Sequence, residues 1–401
     1  MQAWRWARLI ESTGLSGLDP LHQATLTWHD NGQAHSALWQ VDNGARVPTR
    51  VEVLRESLAA PKAYKQACEG TAMLWRGDYE QGKQQLQAIT RHLNKSASRK
   101  TAPPPHTPLE AFEHNRKTQA QRARVLGQLL IEVDGEYRIQ LRRAPNVQAA
   151  CTEAWGPSDG TPRVLPLRSL LGLIGAHEWR KKGVPMAALG GAHIHPHHGV
   201  FSPVRGEYVD LVAQAPLPDA LRHTPVAFDL GVGTGVLSAV LAQRGVPRVV
   251  ATDLSDRALA CARDNLTRLK LDTHVELQQT DLYPEGLAAL VVCNPPWLPA
   301  KPSSVLEQAV YDPDSVMLRG FLNGLATHLC EDGEGWLILS DLAEHLGLRT
   351  REQLQQWISD AGLQVLGRLD TRPQHRKAHD PTDPQHKART AEVTSLWRLG
   401  K

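Results

Sequence analysis

Residues 226–235 read VAFDLGVGTG and join a predicted strand to a predicted helix. The apolar run up to Asp229 is typical of a buried strand, and a helical pattern begins at Gly235. Glycines at positions 231, 233 and 235 permit positive φ and close approach of the backbone to a ligand, and the helix N-terminus behind them offers free N–H groups. The stretch therefore predicts a ligand-binding turn. Its spacing, G-x-G-x-G, differs from the G-x-G-x-x-G of dinucleotide sites.

The sequence after this turn alternates between short apolar runs and helical patterns. Further strands are predicted at 248–252, 274–279, 289–293, 335–340, 363–369 and 394–399, and helices at 235–244, 255–269, 313–330 and 349–361. Strands that are buried on both faces and interleaved with helices predict an α/β fold with a doubly wound, seven-stranded, Rossmann-like sheet. No helix is predicted between the last two strands, which indicates an antiparallel closing hairpin.

Aspartates end the first three predicted strands of this sheet. Asp253 follows the second strand in VVATDLS, and Asp281 follows the third in QQTDLY. Ligands of open α/β sheets bind outside the carboxyl ends of the strands, where an acid accepts hydrogen bonds from ribose hydroxyls. Each aspartate alone is also typical of a turn or a helix N-cap. Three acids in register with a glycine loop predict a nucleoside site.

The fourth predicted strand ends in the sequence ALVVCNPPW, residues 289–297. Two consecutive prolines fix the backbone and remove two N–H donors, so carbonyl groups point outward. The side-chain oxygen of Asn294 and the carbonyl of Pro295 are placed to accept the two hydrogens of a planar amino group, which orients its lone pair for attack. Trp297 is placed to stack on a flat substrate.

Together, DLGVGTG and NPPW resemble the class I S-adenosylmethionine-dependent methyltransferases with an (N/D)PP(Y/F/W) motif, most strongly over 226–341. The resemblance implies S-adenosylmethionine as the cofactor, with its methionine end on the glycine loop, its ribose on Asp253 and its adenine amino group on Asp281. The implied cofactor-binding residues are Asp229, Gly231, Gly233, Thr234, Gly235, Asp253, Leu254, Asp281, Leu282 and Asn294. The implied catalytic residues are Asn294, Pro295, Pro296 and Trp297.

Two segments favour a glutamine side-chain amide of a protein as the methyl acceptor. Residues 199–214, GVFSPVRGEYVDLVAQ, and 310–329, VYDPDSVMLRGFLNGLATHL, are similar to segments of the release-factor glutamine methyltransferases. Arg205-Gly206-Glu207 stands where that family usually has an acid-Thr-acid pattern, and Tyr is its commoner fourth motif residue. The predicted substrate-binding residues are Pro203, Glu207, Tyr208 and Trp297.

The alternative acceptor is an exocyclic amine of adenine or guanine in RNA or DNA. Its support comes from basic segments at 142–143, at 177–183 and at 371–390, where five Arg or Lys residues, three His and two Asp form a predicted loop. Such a loop is suited to phosphate contacts and is equally typical of a solvated excursion. A binding module without turnover is disfavoured by the intact Asn294 and Asp229. A nicotinamide oxidoreductase is disfavoured by the glycine spacing and by NPPW.

The N-terminal half carries weaker signals. Residues 1–94 predict a small α+β unit, with a hairpin around two Asp-Asn-Gly turns at 25–47 and helices over 55–93. Residues 95–108 predict a proline-rich linker, 109–198 a mostly helical substrate-recognition region, and 199–401 the methyltransferase domain. Residues 163–190 within the third region predict a short helix with a cationic end.

Composition sets broad limits on the class of protein. A chain of 401 residues with 41% hydrophobic residues predicts two or three globular domains, and a net charge of +3 permits a nucleic-acid partner without requiring one. Five scattered cysteines form no CxxC pair, which argues against a zinc ribbon and for a reducing cytoplasm. No run of 18 or more apolar residues exists, so no membrane span is expected. The oligomeric state is left open.

Four histidines crowd into residues 193–198, HIHPHH. A metal site needs ligands that converge from a rigid frame, with carboxylates behind them. Here Pro196 interrupts the run, no cysteine is near, and methyl transfer from a sulfonium needs no metal. We therefore expect no metal, and we interpret the histidines as the approach to a substrate-binding lip around Pro203.

Overall fold

A computed structural model describes residues 24–42, 44–98, 105–303, 306–373, 380 and 383–401. The chain divides into two compact units. The first comprises residues 1–104 and 116–177, and the second comprises residues 105–115 and 178–401. Each unit is built around its own sheet.

The first unit is built on a six-stranded sheet with the order β1-β2-β6-β5-β4-β3. Its strands are β1 Thr25–Asp30, β2 Gln33–Trp39, β3 Arg50–Leu54, β4 Thr71–Trp75, β5 Leu129–Val133 and β6 Arg163–Pro166. The helices of this half of the chain are α1 Ala60–Cys68, α2 Tyr79–Ser98, α3 Pro108–Leu126, α4 Gln148–Trp155 and α5 Leu167–Lys182. The antiparallel pairing of β1 with β2 confirms the predicted hairpin.

This sheet corrects the predicted organisation of the N-terminal half. Strands β5 and β6 come from the region predicted as mostly helical, yet they pair between β4 and β2 of the unit predicted to end at residue 94. Strand β4 lies where a helix was predicted, and β6 replaces the start of the predicted helix at 163–190. A short buried apolar run has the same pattern in a strand and in a helix, so periodicity does not separate them.

The second unit contains the predicted doubly wound, seven-stranded sheet, with the order β11-β10-β9-β12-β13-β15-β14. Its strands are β9 Val226–Leu230, β10 Arg248–Asp253, β11 Val275–Gln279, β12 Ala288–Cys293, β13 Leu329–Ser340, β14 Gln364–Thr371 and β15 Thr394–Gly400. The first five of these pair in parallel, whereas β15 pairs antiparallel with both β13 and β14. The predicted closing hairpin is confirmed. A small antiparallel pair, β7 Val184–Pro185 and β8 His193–Ile194, precedes the sheet.

Helices cover both faces of the second sheet. They are α6 Glu207–Gln214, α7 Val236–Gln243, α8 Asp256–Arg268, α9 Val316–His328, α10 Leu342–His345, α11 Arg351–Asp360 and α12 His386–Ala391. Helix α12 lies in the loop where no helix was predicted, and residues 374–379 and 381–382 of that loop lie outside the described residues. No helix among the described residues is both long and apolar enough to cross a membrane.

Alternate residues of each central strand enter different hydrophobic clusters. Leu290 and Val292 of β12 pack with α6, α7 and α8, whereas Val291 and Cys293 pack with α9 and α11. Burial on both faces explains why these strands read as continuous apolar runs. The strand order reverses between β9 and β12, and a ligand crevice is expected outside the carboxyl ends of strands at that point.

Candidate active site

The glycine loop, residues 231–235, connects β9 to α7 at the carboxyl edge of the sheet. Its three glycines have φ values of 80°, 51° and 80°, in the region that side chains rarely adopt. The backbone N–H groups of Gly231 and Val232 donate to the Thr252 carbonyl at 2.9 and 2.8 Å. The Gly233 N–H donates to the Asp253 carboxylate at 3.1 Å. The end of β10 therefore holds the loop in place.

The loop has no room for a side chain at two of its three glycines. A Cβ atom at Gly231 would lie 2.9 Å from the Met317 side chain, and one at Gly235 would lie 3.2 Å from Ala262 of α8. At Gly233 the nearest atom to such a Cβ would be a carbonyl oxygen at 4.0 Å, so this glycine faces open space. This shape fits a cofactor that lies directly on the backbone.

Asp229 lies beneath the loop, at the end of β9. Its side chain is 1% exposed and accepts a hydrogen bond from the Ser238 hydroxyl at 2.5 Å. Burial raises the pKa of Asp229 to about 6, although the bond from Ser238 opposes this rise. A buried carboxylate with an upward-shifted pKa favours a positively charged group above it. The amino group of the cofactor's methionine end has that charge.

The other predicted cofactor residues line the edge beside the loop. The Asp253 carboxylate accepts from the N–H groups of Gly233 and Ser255, the latter at 2.9 Å, and remains partly exposed. Leu254 and Asp281 are exposed, and Leu282 is half-buried with a φ of 58°. The Thr252 hydroxyl donates to the Leu282 carbonyl at 2.5 Å. Two acids and two leucines thus stand at adjacent strand ends, as a nucleoside site requires.

The NPPW motif follows β12, the strand next to β9. The Trp297 indole N–H donates to the Asn294 side-chain oxygen at 2.9 Å. Trp297 is half-buried and packs against hydrophobic clusters of both sheet faces. The sequence predicted only a stacking role for this ring. In the structure the ring orients the Asn294 amide, whose oxygen keeps a second lone pair that can accept a hydrogen bond from another N–H donor.

Asp312 is a site residue that was not predicted from the sequence. Its N–H donates to the Leu298 carbonyl at 2.9 Å. Its carboxylate accepts from the N–H groups of Met317 at 3.0 Å and Leu318 at 3.1 Å, and its side chain is 4% exposed. Asp312 therefore joins the segment after NPPW to the start of α9, whose Met317 side chain occupies the space that a side chain at Gly231 would need. An acid before Pro313 at a helix start was the available signal.

The predicted lip, residues 199–208, leads into α6. Pro203 is buried, and Glu207 is the first residue of the helix. Tyr208 is 4% exposed and packs in the core. Burial and the nearby Asp229 carboxylate raise the pKa of Tyr208. Tyr208 therefore lies under the lip, next to Asp229, and does not form its surface.

An ion pair with one fully buried partner joins the lip to the start of the last strand. The Arg205 guanidinium lies 3.5 Å from the Glu392 carboxylate, which also accepts from the Ser340 hydroxyl at 2.7 Å. The Glu392 side chain is 0% exposed, and burial raises its pKa. No sequence pattern indicated this pair, because its partners are far apart in the chain.

The rings of His195, His197 and His198 bond to α8 or to nearby backbone. A ring nitrogen of His195 lies 2.7 Å from the Arg180 carbonyl, and one of His197 lies 3.0 Å from the Asp264 carboxylate. The same carboxylate accepts from Arg180 at 2.8 Å. Within the described ranges, no group of three or more His, Cys, Asp or Glu residues is arranged to hold a metal ion. These histidines hold the segment before the lip against α8.

Comparisons with known proteins bear on this same region. Residues 191–346 match the family model described as Methyltransferase small domain. A release factor glutamine methyltransferase of Caulobacter vibrioides is 40% identical over 107 residues, which are 25% of this chain and 36% of the relative. One from Mycolicibacterium smegmatis is 34% identical over 151 residues, or 35% of this chain and 53% of the relative.

A second group of relatives is named for a different substrate. A tRNA1(Val) (adenine(37)-N6)-methyltransferase of Shewanella sp. is 30% identical over 109 residues, which are 25% of this chain and 44% of the relative. The chain thus spans about a third to a half of the length of these curated relatives. The predicted family, its fold class and its cofactor, S-adenosylmethionine, agree with these matches for the matched segment.

Proposed function

We propose that the protein is an S-adenosylmethionine-dependent N-methyltransferase whose acceptor is a glutamine side-chain amide of a protein. The placement of NPPW carries the proposal. The motif ends β12, directly beside the glycine loop after β9, at the point where the strand order reverses. An acceptor-orienting amide and a cofactor cradle therefore share one crevice.

The glycine loop and its acids would hold the cofactor. The open side of Gly233 would receive its methionine end, Asp253 its ribose hydroxyls, and Asp281 its adenine amino group. Leu254 and Leu282 would pack on the adenine ring. When bound, S-adenosylmethionine supplies an electrophilic methyl group on a sulfonium. The exposed carboxylates offer hydrogen-bond acceptors that match a nucleoside.

The NPPW residues would orient the acceptor nitrogen. The Asn294 oxygen and the Pro295 carbonyl would accept its two hydrogens, which would favour the pyramidal form and aim its lone pair toward the cofactor side of the crevice. The bound cofactor would supply the methyl group, and the N–H proton that the acceptor loses would leave to water. No dedicated base is needed, because the proton becomes acidic as the nitrogen gains positive charge. Such positioning supplies several kcal/mol.

The relatives and the lip support glutamine as the acceptor. The two relatives with the highest identities quoted above are named release factor glutamine methyltransferases. Pro203 precedes α6 and Glu207 is its first residue, and the next residue, Tyr208, lies near Asp229. The second candidate acceptor, an adenine amine in RNA, is supported by the tRNA-directed relatives.

Two measurements test the proposal. Calorimetry with S-adenosylmethionine and its demethylated product should show saturable, micromolar binding, and no heat with either ligand would contradict the enzyme assignment. Tritiated methyl transfer to lysate fractions should then give a label that survives RNase and is lost to protease. Label that is lost to RNase would instead support the RNA acceptor.

A further inference from the structure

A small cavity opens beside the lip, on the side of the β7–β8 turn. Its volume is about 140 Å³, well above the roughly 10–15 Å³ needed for one water molecule. The side chains that line it include those of Met186, Ala187, Ala188, Val204 and Val209, together with the carboxylate of Asp210. The cavity therefore suits an aliphatic chain with a polar end.

The Asp210 carboxylate gives this cavity a negative charge. The side chain of Asp210 is half-buried in the first turns of α6. Burial and the charge of nearby Glu207 both raise its pKa, and no cation of the described residues contributes to lowering it. The nearest arginine in sequence, Arg205, pairs with Glu392. A carboxylate in this state gains from an incoming positive charge.

We propose that this cavity binds a long cationic side chain, arginine or lysine, of the protein substrate. The aliphatic stem would lie against Met186 and Val209, and the charged end would meet Asp210. Long basic side chains combine an apolar stem with a charged head in this way. A neutral side chain would leave the carboxylate uncompensated, and an acidic one would add repulsion.

The position of the cavity makes it a determinant of substrate choice. Val204 and Gly206 line the cavity and belong to the segment that also holds Pro203 and Glu207. The inference rests on the proposed function, because it places a basic residue of the substrate near the methylated glutamine. Selection would then depend on both the amide and its basic neighbour.

Model ligands test the charge preference directly. The full chain, saturated with S-adenosylhomocysteine, is titrated with N-acetyl-argininamide and N-acetyl-citrullinamide, which differ in charge and hardly in shape. Protein-observed NMR should show argininamide binding in the millimolar range, at least about tenfold tighter than citrullinamide. Asp210→Asn should reduce the affinity for argininamide to that for citrullinamide.

Matched variants guard against indirect effects. Asp219→Asn removes an exposed acid that pairs with Arg222 outside the cavity, so argininamide binding should be unchanged. If Asp210→Asn does not fold, Val204→Trp should block the cavity, because Val204 is 58% exposed and its replacement spares the core.

Either of two results overturns the inference. One is equal affinity for the two ligands, which includes no saturation by either of them in the millimolar range. The other is argininamide binding that neither Asp210→Asn nor Val204→Trp weakens. Calorimetry with S-adenosylmethionine on the same samples separates this failure from failure of the proposed function. Cofactor binding without a preference for argininamide removes the cavity proposal alone, whereas no cofactor binding removes the enzyme assignment.

Discussion

The two halves of the crevice are assembled in different ways. The half proposed to bind the cofactor, called here the cofactor half, comes from one continuous stretch, residues 226–282, and consists of three successive strand ends and a glycine loop. The half proposed to bind the methyl acceptor, called here the acceptor half, combines residues 202–208, 294–298, 312–317 and 340 with Glu392, from segments far apart in the chain. The first half is held by backbone geometry, and the second by side-chain contacts.

This difference implies that a substitution in one half can impair its function without impairing the function of the other half. The hydrogen bonds that hold the glycine loop join it to the end of β10 and involve no acceptor-half side chain. In the acceptor half, single contacts such as the Trp297–Asn294 hydrogen bond fix the orientation of the side chain proposed to position the acceptor nitrogen. Substitutions there are expected to change turnover or acceptor affinity while cofactor affinity stays constant.

The largest effect is expected for Asn294→Ala. Loss of the side-chain oxygen removes one of two acceptors that orient the nitrogen, and removal of one such group typically costs about 100- to 1,000-fold in turnover. Cofactor affinity by calorimetry should change little. Asn323→Ala, on the exposed side of α9, is the control and should keep full activity. Near wild-type turnover in Asn294→Ala would remove this residue from the mechanism.

A second prediction concerns Asp229 in the cofactor half and the effect of pH. Its pKa rises from 3.8 to about 6 on folding, so the folded state binds the proton more tightly than the unfolded state. Its charge therefore destabilises the fold progressively as the pH increases from about 4 to about 6, by about 3 kcal/mol in total. Asp229→Asn should remove this slope, since the amide oxygen can still accept from Ser238.

The measurement is the free energy of unfolding of both proteins without cofactor, across that pH range. The difference between them should move in favour of Asp229→Asn as the pH rises and should level off above about pH 6. Saturating S-adenosylmethionine, whose amino group is positively charged, should shrink the difference. Parallel pH profiles for the two proteins would show that Asp229 does not titrate in this range.

The cofactor half was predictable because its information is local. The strand bounds, the glycine loop and the acids at 253 and 281 lie in one window and obey local rules for turns and buried strands. The NPPW motif was also visible, since two prolines mark a rigid strand end. The hydrogen bond from Trp297 could not be predicted from the sequence, because a motif gives residue types and spacing but does not determine side-chain orientation.

The remaining contacts were not predictable because they join distant residues. Nothing near Arg205 in the sequence indicates Glu392, and the charge at 205 reads as an ordinary polar turn. The six-stranded sheet of the first unit was not predicted for a similar reason, since β5 and β6 lie in it between strands of an earlier segment. Pairing between strands far apart in the chain leaves no periodic signal in either one.

The smallest effect is expected for Glu392→Gln. Burial already disfavours the charge of Glu392, so the neutral amide, which still accepts from Ser340, should leave stability within about 1 kcal/mol of wild type. The substitution removes the charge that pairs with Arg205, so the lip is no longer held by this ion pair. The KM for the acceptor should rise about five- to tenfold, or roughly 1 kcal/mol, with kcat nearly unchanged.

Glu334→Gln is the matched control for this positioning role. Glu334 is also a buried glutamate; it lies on β13 and accepts from Arg398 of β15 at 2.6 and 2.8 Å and from Trp336 at 3.0 Å. It lies toward the opposite edge of the sheet, so its loss should lower stability and spare the acceptor KM. If both variants changed KM alike, the Arg205–Glu392 pair would be part of the general scaffold and would not serve as a specific tether of the acceptor half.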